Sequence, residues 1–182
     1  IDELLYGAVM RRLEEYSSLG QLTLILSATH THSGPGAYGR KFTEKISMGH
    51  YDTEVFDEIV ERIVDCIILA SQNLQPILVS YSTVETEDLV YNRIESTGEV
   101  DDTLVVSVFY PQPGSREDNP HHGPLAIIVN FSAHPTTLGH WNMQLSGDYP
   151  GILVREIEKE LPSAVCIFTA GNVGDQAPVK HG

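Results

Sequence analysis

Three groups of polar residues in this sequence could do chemistry, and each follows directly on an apolar run. They are His30 with His32, His134 with Thr136 and Thr137, and Asn172 with Asp175. Two imidazoles at i, i+2 on an extended backbone put both rings on the same side. Neutral imidazole is a good zinc ligand, and catalytic zinc takes three protein ligands plus a water. His30 and His134 could supply two, with carboxylates behind them orienting their free ring nitrogens. Residue type alone leaves the alternative open, that these are solvated or hydrogen-bonded histidines at strand ends. Arg93 follows Asn92 in an otherwise acidic stretch. It could hold a carboxylate or a developing oxyanion, or simply pair with Glu95 or Asp101. His50, His121, His122, His140 and His181 read as peripheral. No GxSxG, P-loop, GxGxxG or HExxH pattern occurs.

The elements that must position these groups are legible from periodicity. Leu4, Leu5, Ala8, Val9, Leu13 and Tyr16 fall at helical spacing, which predicts a helix over 2–17. Leu22 to Leu26 predict a buried strand over 22–28, closed by Gly34, Pro35 and Gly36. Residues 34–50 lack periodicity and read as a loop. Asp52 or Thr53 caps the strongest helix, where Val55, Ile59, Ile63 and Ile67 run beside Phe56, Val60, Val64 and Ile68. Strands follow at 77–84, 103–110, 125–132 and 164–169. Residues 85–102 and the proline-bearing stretch 111–124 read as connections, and Asp148 with Pro150 starts a last helix with Leu153, Ile157 and Leu161 as its packed row.

The expected fold is α/β: a single layered domain over 1–182, with a mixed, largely buried β-sheet flanked by helices. Ligands in such sheets bind outside the carboxyl ends of the strands. If the strands bearing the three polar groups run parallel, all three converge on one edge.

Composition narrows the partners. The chain has 182 residues, 41% hydrophobic and 20% charged, with 25 acidic against 11 basic residues and a formal net charge of −14. That field repels phosphate backbones, so nucleic acid is not an expected partner. Cys66 and Cys166 each sit in an apolar run and read as reduced core thiols. No apolar run approaches the roughly 18 residues of a membrane span, and no signal peptide is visible. Ile1 already stands inside a helical pattern, so the chain is expected to be a fragment of a longer catalytic domain. Compartment and oligomeric state are not encoded in these patterns.

THTHSGPG at 29–36, Asn92-Arg93, NFSAHPTT at 130–137, SGDYPG at 146–151 and GNVGDQAP at 171–178 occur in that order. The series resembles the N-terminal catalytic domain of the neutral (alkaline, non-lysosomal) ceramidase family. The resemblance implies a zinc-dependent amidohydrolase that cleaves the amide of an N-acylated sphingoid base or another lipid amide. It implies His30 and His134 as zinc ligands and His32 beside the metal, stabilising an oxyanion or relaying a proton. Arg93 matches the arginine of the family's Asn-Arg-Ser motif, and Asp175 in the last loop is the third catalytic candidate. The family's remaining ligands, a glutamate and a tyrosine, come from sequence beyond Gly182, and a metal site confined to these residues is expected to be incomplete. Family members are often secreted or membrane-associated.

Two departures bear on the reaction. Ala177 stands where the family places a reactive serine, and Ile94 replaces the serine after Asn-Arg. Metal-activated water could still attack an amide or ester directly. Two further readings follow: another metallohydrolase, an esterase or phosphatase, on the same scaffold, or a non-catalytic module.

Overall fold

The computed structural model describes residues 3–16, 19, 23–114 and 123–179. Its contacts divide the chain into two compact units, Ile1–Ser27 with Pro35–Leu74, and Ala28–Gly34 with Gln75–Gly182.

The first unit is helical. Helix α1 (Glu3–Glu14) buries Leu5, Val9 and Leu13 against the apolar stripe of α3 (Thr53–Ser71), whose Phe56, Val60 and Val64 are buried. This follows from rows of apolar residues at helical spacing, which leave one face needing cover. The Asp52 carboxylate accepts the Glu54 and Val55 N–H groups at 2.8 and 3.4 Å, which satisfies orphan donors of the first turn. Between them lies a short helix, α2 (Phe42–Met48), where a loop was expected. It buries no residue, and Phe42 and Ile46 are exposed. With no core-facing stripe there was no periodicity to read. Cys66 also differs from expectation: it lies off the buried row of α3 and is exposed.

The second unit holds a mixed four-stranded sheet. Strands β1 (Ile77–Glu85), β3 (Thr103–Pro111), β4 (Ala126–Phe131) and β5 (Val165–Ala170) lie in the order β1-β3-β4-β5, and a separate pair joins β2 (Val90–Asn92) to β6 (Gln176–Pro178). The β1–β3 and β3–β4 pairings are antiparallel; β4–β5 is parallel, with Asn130 opposite Thr169. Alternation sets the buried face. Ile127, Val129 and Phe131 of β4 and Cys166 and Phe168 of β5 are buried, and Tyr149, Leu153, Val154 and Ile157 of α4 (Asp148–Glu160) pack on them. Leu161 ends that helix rather than joining its packed row and is exposed. Burial belongs to the β3–β5 part of the sheet, since all of β1 is exposed.

The first strand expected from sequence does not form. Residues 23–30 carry no strand, no sheet pairing includes them, and Ile25 is 84% exposed; Leu22 lies outside the described residues. An apolar run is a strand only where a neighbour offers a hydrogen-bonding edge. Here the chain passes from the first unit to the second at residue 27. The connection at 111–124 does join two antiparallel strands, as expected, although residues 115–122 lie outside the described ones.

Candidate functional site

The site stands at the carboxyl ends of the parallel pair β4–β5. After Phe131 the chain stays buried through Ser132, Ala133, His134 and Pro135. Buried polar atoms need partners there, and the side chains of Ser132 and His134 have them. The His134 N–H donates to the Gln176 carbonyl at 3.1 Å. Ser132 Oγ donates to Asp101 Oδ2 at 2.6 Å and accepts the Asn172 N–H at 2.9 Å, and Asn172 Nδ2 donates to the same Asp101 oxygen at 2.7 Å. Gly171 permits this junction, because a Cβ there would lie 2.4 Å from Ser132 Oγ. Two of the three polar groups therefore meet where the parallel strands end.

The third group arrives by another route. His30 sits at φ 65°, in the left-handed region, so the backbone is turned rather than extended. That conformation costs a non-glycine residue about 1–3 kcal/mol and persists only where surrounding contacts impose it. Those contacts are visible. Thr31 Oγ1 donates to the Ser146 carbonyl at 2.9 Å, the Ser146 N–H donates to the Ser33 carbonyl at 3.0 Å, and Asn142 Nδ2 donates to Ser33 Oγ at 2.9 Å. The segment THTHSG is stitched to 142–146, and both histidines are thereby placed without a strand beneath them.

The result is a trio of imidazoles. The ring centroids of His30 and His134 lie 4.4 Å apart, those of His32 and His134 4.9 Å, and those of His30 and His32 5.6 Å. Their ligand nitrogens all fall within 4.8 Å of one another, so the group could hold a metal ion. His134 is 4% exposed; His30 and His32 are exposed. His134 Nδ1 lies 2.7 Å from the Val173 carbonyl, which only accepts, so Nδ1 carries the proton and Nε2 offers a lone pair. That Nε2 faces His32 Nε2 at 2.9 Å.

Electrostatics favour the neutral, ligating forms. Loss of water pushes the His32 pKa below the usual 6.5, and the charges of His30 and Arg93 add to this against the opposing Asp148. Burial likewise lowers His134; the Val173 hydrogen bond opposes it, and His30, Arg93 and His32 reinforce it.

Arg93 and Asp175 stand directly beyond the Asn92–Gln176 end of the β2–β6 pair. The Arg93 N–H donates to the Asp175 carbonyl at 2.8 Å, and its Nε and Nη2 donate to the Gly174 carbonyl at 3.1 and 2.6 Å. No ion pair joins Arg93 to Glu95 or Asp101 among the described residues. Arg93 lines a cleft of about 550 Å³ together with His32, Tyr91, Thr136 and Ala177. The Asp175 carboxylate accepts Asn92 Nδ2 at 3.0 Å and Gln176 Nε2 at 2.9 Å. The bond from Gln176 holds its pKa below the ordinary carboxylate value against some desolvation, and Asn92 and Arg93 add to the effect.

The sequence places Asp148 at the start of the last helix, within the SGDYPG motif, and assigns it no role at the site. It is buried at φ 55°, and its carboxylate reaches back to the loop after His134. Oδ1 accepts Thr137 N–H at 3.2 Å, Thr137 Oγ1 at 2.5 Å and Tyr149 N–H at 2.7 Å, while Oδ2 accepts Leu138 N–H at 2.9 Å. Gly147 takes the capping position instead. Desolvation pushes the Asp148 carboxyl up, but these donors together outweigh it and its pKa is lowered. Its spacing from the Thr136-Thr137 pair, within the SGDYPG motif, was the available signal.

Comparison with known proteins fits this arrangement. The model of the neutral/alkaline non-lysosomal ceramidase family, N-terminal, matches residues 1–103. The chain is 25% identical over 194 residues to the neutral ceramidase of Mycobacterium tuberculosis, covering 96% of this chain and 30% of that protein. It is 28% identical over 176 residues to neutral ceramidase B of Dictyostelium discoideum, covering 89% and 24%. The chain thus spans about a quarter to a third of the length of the curated relatives it matches. The fold superposes on the crystal structure of neutral ceramidase from Pseudomonas aeruginosa with a TM-score of 0.83 at 24% identity, over 97% of this chain and 29% of that one. The chain belongs to the neutral/alkaline non-lysosomal ceramidase family.

Proposed function

We propose that this chain carries part of the active site of a zinc-dependent hydrolase that cleaves a lipid amide of the N-acyl sphingoid class. The observation that carries the reading is the trio His30, His32 and His134, two residues from one segment and one from about a hundred positions away. The donor set fits zinc, which favours neutral imidazole nitrogen. His30 and His134 would hold the ion, and Val173 keeps the His134 Nε2 lone pair available. When bound, the ion would supply a Lewis acid and a water of pKa about 7.

The remaining residues act by their own chemistry. His32 is neutral at pH 7 and stands beside His134 Nε2, where it can take a proton from an attacking water and return it to the leaving amine. Arg93 presents a fixed positive charge to the same cleft, suited to a developing oxyanion. Asp175 positions Arg93 through its carbonyl, which accepts the Arg93 N–H, and through its carboxylate, which pins Asn92 and Gln176.

A hydrolysis panel of N-acyl amides, acyl esters and phosphate esters tests the proposal. Turnover of the amides alone, abolished by His134→Ala, supports it. Ala177 favours a second reading, because it leaves the cleft without the family's hydroxyl. Preference for esters or phosphate esters would move the chain to that other metallohydrolase reading, and tight metal occupancy with no turnover would make it a non-catalytic module.

A further inference from the structure

Gln176 is the one polar side chain of β6, and it is 3% exposed. A buried strand position ordinarily takes an apolar residue, so an amide there needs partners. It has three. Its Oε1 accepts the Asp101 N–H at 3.1 Å, and its Nε2 donates to Asp175 Oδ1 at 2.9 Å and to the Glu99 carbonyl at 3.4 Å. The partner types fix which way the amide points, because an N–H only donates and a carbonyl or carboxylate only accepts. The segment 92–101 thereby closes around this side chain. Asn92 pairs with Gln176 across the β2–β6 ladder, Asn92 Nδ2 donates to the same Glu99 carbonyl at 3.0 Å, and Asp101 ends on Oε1.

Two groups of the site hang from this one residue. The Gln176 main-chain carbonyl accepts the His134 N–H. Arg93 is held by the two residues before Gln176, its N–H on the Asp175 carbonyl and its guanidinium on the Gly174 carbonyl. Asp175 in turn divides its carboxylate between Gln176 Nε2 and the Nδ2 of Asn92, the residue next to Arg93. We infer that Gln176 is a positioning residue: its main chain carries the His134 end of the site, and its side chain sets where the Arg93 charge stands relative to it. Gln176 itself stays out of the cleft, which His32, Arg93 and Ala177 line without it. A charge aimed at a developing oxyanion works by being preorganised, and a misplacement of about 1 Å can cost about 10²-fold in rate. The consequence for turnover rests on the hydrolase reading of the cleft; the positioning does not.

Two substitutions separate the halves of the amide. Gln176→Met keeps the length of the side chain and removes all three hydrogen bonds. Gln176→Glu keeps an acceptor for the Asp101 N–H but sets a second negative charge against Asp175. Amide hydrogen exchange reads the positioning directly. In Gln176→Met the Asp101 and Arg93 N–H groups should lose at least about tenfold in protection while the β3–β4 amides keep theirs. In Gln176→Glu, Asp101 should keep its protection and Arg93 should lose it. Against a water-soluble, short-chain N-acyl amide both variants should lower kcat at least about tenfold with KM unchanged. Zinc affinity should hold, since the His134 contact is to the main chain. In an Arg93→Ala background, Gln176→Met should cost nothing further, because it acts through Arg93. Unchanged protection at Arg93 would overturn the inference. So would protection lost equally across the sheet, which would make Gln176 a packing residue only, or a kcat loss in the Arg93→Ala background as large as in the wild type. If the wild type turns over no amide, hydrogen exchange still decides the positioning, and only the hydrolase reading falls.

Discussion

At the scale of single residues, His134 is the pivot, because it is the one buried imidazole among the described residues and its proton is assigned by Val173. Replacing Asp148 tests how the loop behind it is held. Asp148→Asn keeps the shape but loses the charge that four donors share. We predict a loss of about 1–3 kcal/mol in denaturant unfolding, the range for disturbing buried hydrogen bonds. The pH dependence has a definite sign. Asp148 has a lowered folded pKa, so its contribution is complete above about 3.8 and is lost as pH falls through the lower folded value. His32 and His134 also have lowered folded values, so the unfolded chain takes up protons first. Stability should fall as pH drops below 6.5 and level off only below the folded values. In His134→Ala the slope in that window should shrink, as measured by thermal unfolding across pH.

At the scale of elements, the parallel pair β4–β5 with α4 between its strands sets the site, and its tolerance is narrow at Gly171. Gly171→Ala forces a methyl onto Ser132 Oγ and should destabilise by about 1–3 kcal/mol, as overpacking does. Phe56→Ala in α3 acts elsewhere: it should cost about 3–5 kcal/mol through a core cavity, read by the same unfolding assay. What the sequence made legible follows the same division. The helices at 3–14, 53–71 and 148–160 and the four strands of the sheet showed their faces as apolar rows or as runs of β-branched residues. Helix α2 and the β2–β6 pair were illegible. The helix has no buried face, and two three-residue strands pair by backbone contact that leaves no side-chain pattern. The segment before His30 misled for the opposite reason: Leu24 and Ile25 look like a strand, but they pair with no strand of either sheet.

At the scale of the whole molecule, the question is whether the histidines brought together from residues 30, 32 and 134 act as one ligand set. Sequence indicated that they meet; it did not show how, since the left-handed turn at His30 and its clamp to Ser146 arise from contacts between distant segments. A ligand that binds only the folded chain stabilises it by RT ln(1 + [L]/Kd), about 2.7 kcal/mol at a hundredfold excess over Kd. Zinc at that excess should therefore raise the unfolding midpoint of the wild-type chain and leave His134→Ala unmoved. The most direct measurement is a calorimetric titration of the metal-stripped chain with zinc, alongside His30→Ala and His134→Ala. One saturable zinc per chain is predicted, roughly the stoichiometry of a single imidazole-built site, with either substitution weakening it severely. Undiminished binding in both variants, or full amide hydrolysis by the metal-stripped wild type, would contradict the account.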